Sequence, residues 1–374
     1  MDQFWNPVHT VVGDGAASKI TETLHEMGVY GKNVLLLIWN QSLLNRKEFA
    51  DLLQQKDFSV TPYCFEASNP TVDQLFDTYQ KTRDLRPAVV AAVGGGSILD
   101  VGKSLCCLYG SEIHSEDELR NAIREKTLPA PAARWIGIPT TAGTGSEVTC
   151  WATIWDPDKN AKLSVESKAN YAYAALVDPS LAAGMPISLA VSSGLDAAAH
   201  AIESYWAKAS NTVSKGLALR AIDTIMKDMD RLIAGETSAH LSMAQGSMIA
   251  GLAFSNTKTT ACHSISYPLT MRYHIPHGAA VSMLIAPVMK LNSAMISDLP
   301  ALLHALHLNS IEEVSPRIQD LLKKAGIPST LREWGAKEED LPELAKLGMT
   351  KGRADNNPHD LNEQIILDIL RSIY

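Results

Sequence analysis

The residues best equipped for chemistry are Asp196 and His200, four apart in GLDAAAHAIESYW, with His263 and His277 following in ACHSISYPLTMRYHIPHG. Four residues make about one helical turn, so the first two side chains share a face. One carboxylate and three imidazoles can surround a divalent cation and leave room for a substrate oxygen. A lone histidine near an apolar face is ordinarily a core residue; the spacing of this set is more specific. Upstream, GGGSILDVGK (94–103) places a glycine turn between an apolar run and a helical pattern. Bare backbone N–H groups and the dipole of the following helix favour a pyrophosphate there. A second loop, PTTAGTGSEVT (139–149), brings hydroxyls and glycines to the end of another apolar run. Gly94, Gly95, Gly96, Ser97, Thr140, Thr141 and Thr144 are therefore candidate cofactor contacts, with Asp100 on the nicotinamide side. A glycine triplet alone is weak evidence. Two such loops in one α/β region match the ligand crevice of open sheets.

The first half of the chain alternates short apolar runs with helical patterns. Strands are predicted over 33–39, 59–65, 88–96 and 133–141, and helices over 45–57 and 71–85. Near-continuous apolar strands between helices indicate a parallel sheet covered on both faces. FWNPVHTVVG (4–13) reads as an edge strand, and WDPDKNAKLS (155–164) as a hairpin tip. Beyond about Met185, long amphipathic stretches take over, and Pro186 and Pro276 mark helix starts. The expected organisation is an α/β Rossmann-like domain over 1–184 and an all-helical, metal-binding domain over 185–374.

The chain has 374 residues and a formal charge of −8, which argues against a nucleic-acid binder, since that needs a basic face. Five cysteines without a CxxC pair argue against a disulfide framework and fit a reducing cytoplasm. Cys262 precedes a candidate ligand, but reads as a small packed residue. No signal peptide and no membrane span are expected.

Taken together, the motifs resemble the iron-containing (group III) alcohol dehydrogenase family over nearly the whole chain. GGGSILDVGK and PTTAGTGSEVT match its cofactor signatures, and GLDAAAHAIESY and IPHGAAVSMLIAPVMKLN its metal motifs. The resemblance implies a dehydroquinate synthase-like fold, with NAD(H) in the sheet domain, Fe2+ or alternatively Zn2+ in the helical domain, and the cleft between them as the reaction chamber. It implies Asp196, His200, His263 and His277 as metal ligands, with the metal a Lewis acid in hydride transfer. Thr149 and Lys162 join the expected cofactor set. A homodimer through the first strand is implied as well.

Two departures from the family pattern stand out. A second histidine common in the family is here Tyr267, whose pKa near 10 makes it a poor proton shuttle. An Asp that favours NAD is here Asn40, which keeps hydrogen bonds to ribose but loses repulsion of a 2′-phosphate. NAD(H) with some tolerance of NADP(H) is the expectation. By family analogy Trp151, Phe254, Asn256 and Tyr267 line the substrate pocket. Lys258 and Arg272 are unusual neighbours for a site serving only apolar alcohols, and NTKTTACHSISYPLT is similar to the branch that reduces sulfoacetaldehyde or phosphonoacetaldehyde. The expected function is reduction of a small anionic aldehyde. The alternatives are a dehydrogenase of simple alcohols or diols, a lyase of the dehydroquinate synthase type, and a non-catalytic cofactor-binding subunit.

Overall fold

The computed structural model describes residues 2–159 and 161–374, so Asn160 of the expected hairpin tip lies outside the described residues. The chain divides into two compact units. One comprises Asn6–Thr141 with Ser146–Leu181; the other comprises the residues up to Trp5, Ala142–Gly145 and Ala182–Tyr374.

The first unit is built on six strands: β1 (His9–Val12), β2 (Asn33–Ile38), β3 (Ser59–Cys64), β4 (Val89–Gly94), β5 (Arg134–Pro139) and β8 (Ala174–Val177). They pair in the order β1-β8-β5-β4-β2-β3, all parallel. β6 (Trp151–Asp156) and β7 (Ala161–Glu166) form a separate antiparallel hairpin. The central strands are apolar at every position because both faces are covered. Leu35, Leu37, Val90 and Ala92 point into one core, while Val34, Leu36, Val89 and Ala91 point into the other. Helices α1 (Ile20–Glu26) and α2 (Lys47–Leu53) serve the second core; α3 (Val72–Thr82), α4 (Gly96–Leu108) and α5 (Glu116–Glu125) serve the first.

The boundaries differ from the sequence expectations where capping chemistry intervenes. The helix expected over 45–57 spans only Lys47–Leu53, because Arg46 is extended. A short 3-10 turn precedes it, capped by the Asn40 side chain. α3 starts where the Thr71–Gln74 capping box sets it. The first strand shrinks to His9–Val12, and Trp5 N instead donates to Asn256 Oδ1 at 2.8 Å.

The second unit is helical: α6 (Ile187–Trp206), α7 (Thr212–Ile233), α8 (Ala239–Thr257), α9 (Ala261–Tyr273), α10 (His277–Asn292), α11 (Leu299–Ala305), α12 (Val314–Lys324), α13 (Leu341–Leu347) and α14 (Glu363–Ser372). Pro186 and Pro276 stand at the N-caps of α6 and α10. The stretch His277–Met295 is long and apolar enough to cross a membrane, but 61% of it is buried inside the unit and it carries Lys290. It reads as a core helix. A single apolar core runs through α6–α10 and the helices that follow.

Gly94 illustrates how tightly β4 meets α4. A Cβ there would lie 2.3 Å from Ile98 Cγ1 and 2.5 Å from Ile98 Cβ, neither of which can swing away. Gly94→Ala should therefore destabilise the protein by about 1–3 kcal/mol through overpacking. A urea denaturation midpoint unchanged from the parent would show that the helix shifts freely.

Candidate functional site

α4 begins where β4 ends, and its first-turn N–H groups lack intrahelical acceptors. Gly95 is its N-cap; a Cβ there would approach Thr141 Cγ2 to 3.3 Å. Thr140 N donates to Gly94 O at 3.0 Å, which holds the start of the second loop beside the first. A glycine turn of bare backbone at a helix N-terminus fits a pyrophosphate.

Several residues expected at the cofactor are engaged by the protein itself. Both Asp100 carboxylate oxygens are taken: one accepts from Ser146 Oγ at 2.7 Å, the other from Thr153 N at 2.8 Å. The Thr149 hydroxyl, buried, accepts from Lys103 Nζ at 2.9 Å. Ser97 Oγ accepts from Asn69 N at 3.1 Å, and Asn40 Oδ1 from Ser42 N at 2.8 Å. Lys162 lies on β7, its ammonium 5.9 Å from the Trp155 ring centre. Thr144 falls in the four-residue stretch that belongs to the helical unit. There Gly145 has φ +57°, and a Cβ would meet Gly251 Cα at 2.5 Å.

Lys103 carries no expected role, yet it organises the second loop. It is completely buried. Its ammonium donates to Ser146 Oγ (2.7 Å), Thr149 Oγ1 (2.9 Å) and Trp151 O (2.9 Å), using all three of its protons. Burial pulls its pKa down, against the opposing pull of Asp100 3.6 Å away. The spacing of Asp100 and Lys103, three apart on one helix face, was the available sequence signal.

In the helical unit, α6 is buried along most of its length and carries Asp196, His200 and Glu203 at intervals of four and three residues. These spacings put all three on one stripe. α9 brings in His263, and α10 begins at His277. Asp196, His263 and His277 offer ligand atoms that all lie within 4.8 Å of one another. Asp196 Oδ1 is 3.4 Å from His263 Nε2 and 4.0 Å from His277 Nε2. His200 is not in that trio: its Nδ1 lies 3.9 Å from the other Asp196 oxygen, and its ring stacks on Phe254 at 4.3 Å. Tyr267 stacks on His277 with ring centres 5.8 Å apart.

Glu203 is the member that sequence reasoning missed. It is fully buried and accepts from Thr260 Oγ1 at 2.7 Å, Cys262 N at 2.6 Å and His263 Nδ1. This fixes which nitrogen of His263 faces Asp196, the usual way a carboxylate orients a metal-binding imidazole. Burial would raise the Glu203 and Asp196 carboxyls; the facing imidazoles instead hold both below the ordinary carboxylate range. His263 shows the converse. Burial depresses it, but Glu203 and Asp196 push it up to about 9. Asp196 Oδ1 and His263 Nε2 are both buried without a hydrogen-bond partner. A cation between them would satisfy both, so these residues fit a metal.

Of the other expected substrate residues, Asn256 is on α8, Lys258 follows it directly, Arg272 is on α9 and Trp151 is on the hairpin. Asn256 Nδ2 donates to Ser255 Oγ at 3.0 Å, while its Oδ1 is held by Trp5. Lys258 caps α8 with φ 60°. Trp151 opens β6 and gives its carbonyl to Lys103. Arg272 does not present a free charge: its guanidinium donates to Asp340 at 2.7 Å and to Glu343. That pairing removes the reason for expecting it at an anionic head group.

A glycine-led turn on a parallel sheet and an acid–imidazole cluster in a helical unit are the parts that an enzyme with a nucleotide cofactor and a metal requires. The chain belongs to the iron-containing alcohol dehydrogenase family. The model for iron-containing alcohol dehydrogenase matches residues 7–179, and the model for the C-terminal part of that family matches residues 190–374. The 1,3-propanediol dehydrogenase of Citrobacter freundii is 30% identical over 82% of this chain and 81% of its own length. A solved 1,3-propanediol oxidoreductase superposes with a TM-score of 0.89 at 27% identity, covering all of both chains. Sulfoacetaldehyde reductase from Bifidobacterium kashiwanohense, solved with NAD+, gives a TM-score of 0.89 at 24% identity over 100% of this chain and 98% of that one, a likeness of fold. The family is an alcohol and aldehyde oxidoreductase family that uses NAD(H) and a metal. Neither a lyase nor a non-catalytic subunit matches that membership.

If Glu203 orients His263, Glu203→Gln should weaken metal retention about 10–100-fold. Dialysis against a graded chelator series, with metal counted by mass spectrometry, measures this. Retention equal to the parent would remove Glu203 from the site.

Proposed function

We propose that this protein is an NAD(H)-dependent reductase of a small anionic aldehyde, converting sulfoacetaldehyde to isethionate or phosphonoacetaldehyde to 2-hydroxyethylphosphonate. The observation that carries the metal-dependent part is the trio of buried Asp196, buried His263 and half-buried His277, with ligand atoms within 4.8 Å of one another. His200 completes the proposed ligand set from the next turn of α6. Iron(II) is the proposed metal, with zinc its competitor, because imidazole and carboxylate suit both.

Asp196, His200, His263 and His277 would hold a divalent cation, which would supply Lewis acidity toward a carbonyl oxygen. The protein's own residues do the rest. Glu203 holds the Nδ1 proton of His263 so that Nε2 faces Asp196. Phe254 lies flat on His200 and keeps water from that face of the ring. Tyr267 stacks on His277, so no second imidazole stands there to relay protons. The bare turn at Gly95 and Gly96 takes the cofactor pyrophosphate, and Asn40 at the end of β2 takes the ribose. Asn40 carries no charge to repel a 2′-phosphate, which supports some tolerance of NADP(H).

The anionic substrate is supported by Lys258, five residues before His263, and by the likeness to sulfoacetaldehyde reductase. A second reading, interconversion of a neutral diol and its hydroxyaldehyde, is favoured by the likeness to the Citrobacter 1,3-propanediol dehydrogenase. A homodimer is proposed through β1, whose outer edge is unpaired within the sheet.

Steady-state rates on iron- and zinc-loaded enzyme decide between the two substrates. With NADH, kcat/KM for sulfoacetaldehyde or phosphonoacetaldehyde should exceed that for 3-hydroxypropanal by about tenfold or more, the worth of one charged contact. The opposite order would establish the diol reading, and a strong preference for NADPH would overturn the cofactor assignment.

A further inference from the structure

The chain from Gly348 to Asp360 forms a strap of turns across the junction of α8 and α9, the stretch that delivers His263. It is fastened at four places. Ser264 Oγ, next in the chain to His263, donates to Gly348 O and accepts from Thr350 N at 2.8 Å. Asn356 Nδ2 donates to Thr257 O (2.9 Å) and Thr259 O (3.1 Å), on either side of Lys258. Lys208 N donates to Asn356 O at 3.0 Å, and its ammonium pairs with Asp360 at 2.9 Å. Asn357 and Asn292, both fully buried, exchange amide hydrogen bonds of 2.8 and 2.9 Å.

In the middle of this well-satisfied segment is an exception. Arg353 is half-buried; its Nε is buried without a hydrogen-bond partner, and among the described residues its guanidinium forms no ion pair. The contrast with Arg272 is direct, since that residue spends its donors on Asp340 and Glu343. A buried, unmet donor on a charged group is costly to keep, and such groups are ordinarily met by a ligand, an ion or water. The same strap also holds an unusual turn, where Asn356 grips the α8–α9 junction. Lys258 has φ 60° and ψ −179°, a conformation almost reserved for glycine. Strain of this kind is held in place by its surroundings and clusters at ligand sites. The two carbonyls that flank Lys258 are the ones Asn356 binds, so the strap that presents Arg353 also holds that strained turn.

We propose that Arg353, carried on the 348–360 strap, is the cation that recognises the anionic head group of the substrate. Its planar fork suits a sulfonate or phosphonate, both of which offer paired oxygens. The proposal rests on the anionic-substrate reading above.

The test uses the metal-loaded, full-length enzyme with sulfoacetaldehyde, with propanal as a neutral aldehyde of similar size, and with ethanesulfonate as an unreactive anion. Arg353→Met should raise the KM for sulfoacetaldehyde and the inhibition constant of ethanesulfonate by about tenfold or more. It should leave kcat/KM for propanal within about twofold, and Arg353→Lys should restore part of the loss. Equal losses on both aldehydes would overturn the proposal and make Arg353 part of the strap's scaffold. No loss on either would overturn it in favour of water at Nε. If the parent enzyme favours propanal, the anionic-substrate reading fails. Arg353 as an anion site would then survive only if Arg353→Met still abolished ethanesulfonate binding.

Discussion

Two carboxylates buried on one helix impose the constraint from which the helical unit follows. Asp196 and Glu203 lie seven residues apart on α6, and each is at most 4% exposed. Removing a carboxylate from water costs several kcal/mol unless a positive charge and hydrogen bonds replace the solvent. α9 supplies the first compensation by placing His263 between them, with Nε2 toward Asp196 and Nδ1 on Glu203. One imidazolium offsets one negative charge; a divalent cation offsets both and meets the two buried atoms that lack partners. The helices around α6 can therefore pack as an apolar core while holding a polar cluster at its centre.

The sheet unit solves the mirror-image problem. Lys103 is a buried cation, and its three protons find two hydroxyls and a carbonyl on the loop that begins at Ser146. Asp100 binds the same loop through Ser146 and Thr153. α4 thus does two things at once. Its N-terminus presents bare backbone at Gly95 and Gly96, while its next turn fixes the position of the second loop. A rigid loop matters because a phosphate cradle works through preplaced N–H and O–H groups rather than through side chains that must be ordered on binding.

Much of this was legible in the sequence, and the parts that were not share a physical cause. The apolar runs of β2 and β4 declare a doubly covered parallel sheet, and the one-turn spacing of Asp196 and His200 declares a common helix face. β8 is an alanine-rich stretch with little β-branching, so nothing local marks it as a strand; its pairing with β1 and β5 makes it one. Glu203 escaped notice because a glutamate on a helix is usually a solvated residue, and only burial shows otherwise. Asp100 and Thr149 fall in motifs that do bind cofactor loops together, but spacing alone cannot separate a residue that touches a ligand from one that braces the residue that does. Arg272 and Arg353 show the same limit. Nothing in the residues next to either one shows that Asp340 and Glu343, far away in the chain, occupy the first.

X-ray absorption at the zinc edge of the zinc-loaded protein reports directly which atoms of the cluster on α6, α9 and α10 hold a metal. With Asp196 and the histidines as ligands, a shell of imidazole nitrogens and carboxylate oxygen is expected at about 2.0–2.2 Å, with the multiple-scattering signature of several imidazoles. A sulfur shell at about 2.3 Å, which Cys262 would provide, or a shell of water oxygens without imidazole would contradict it.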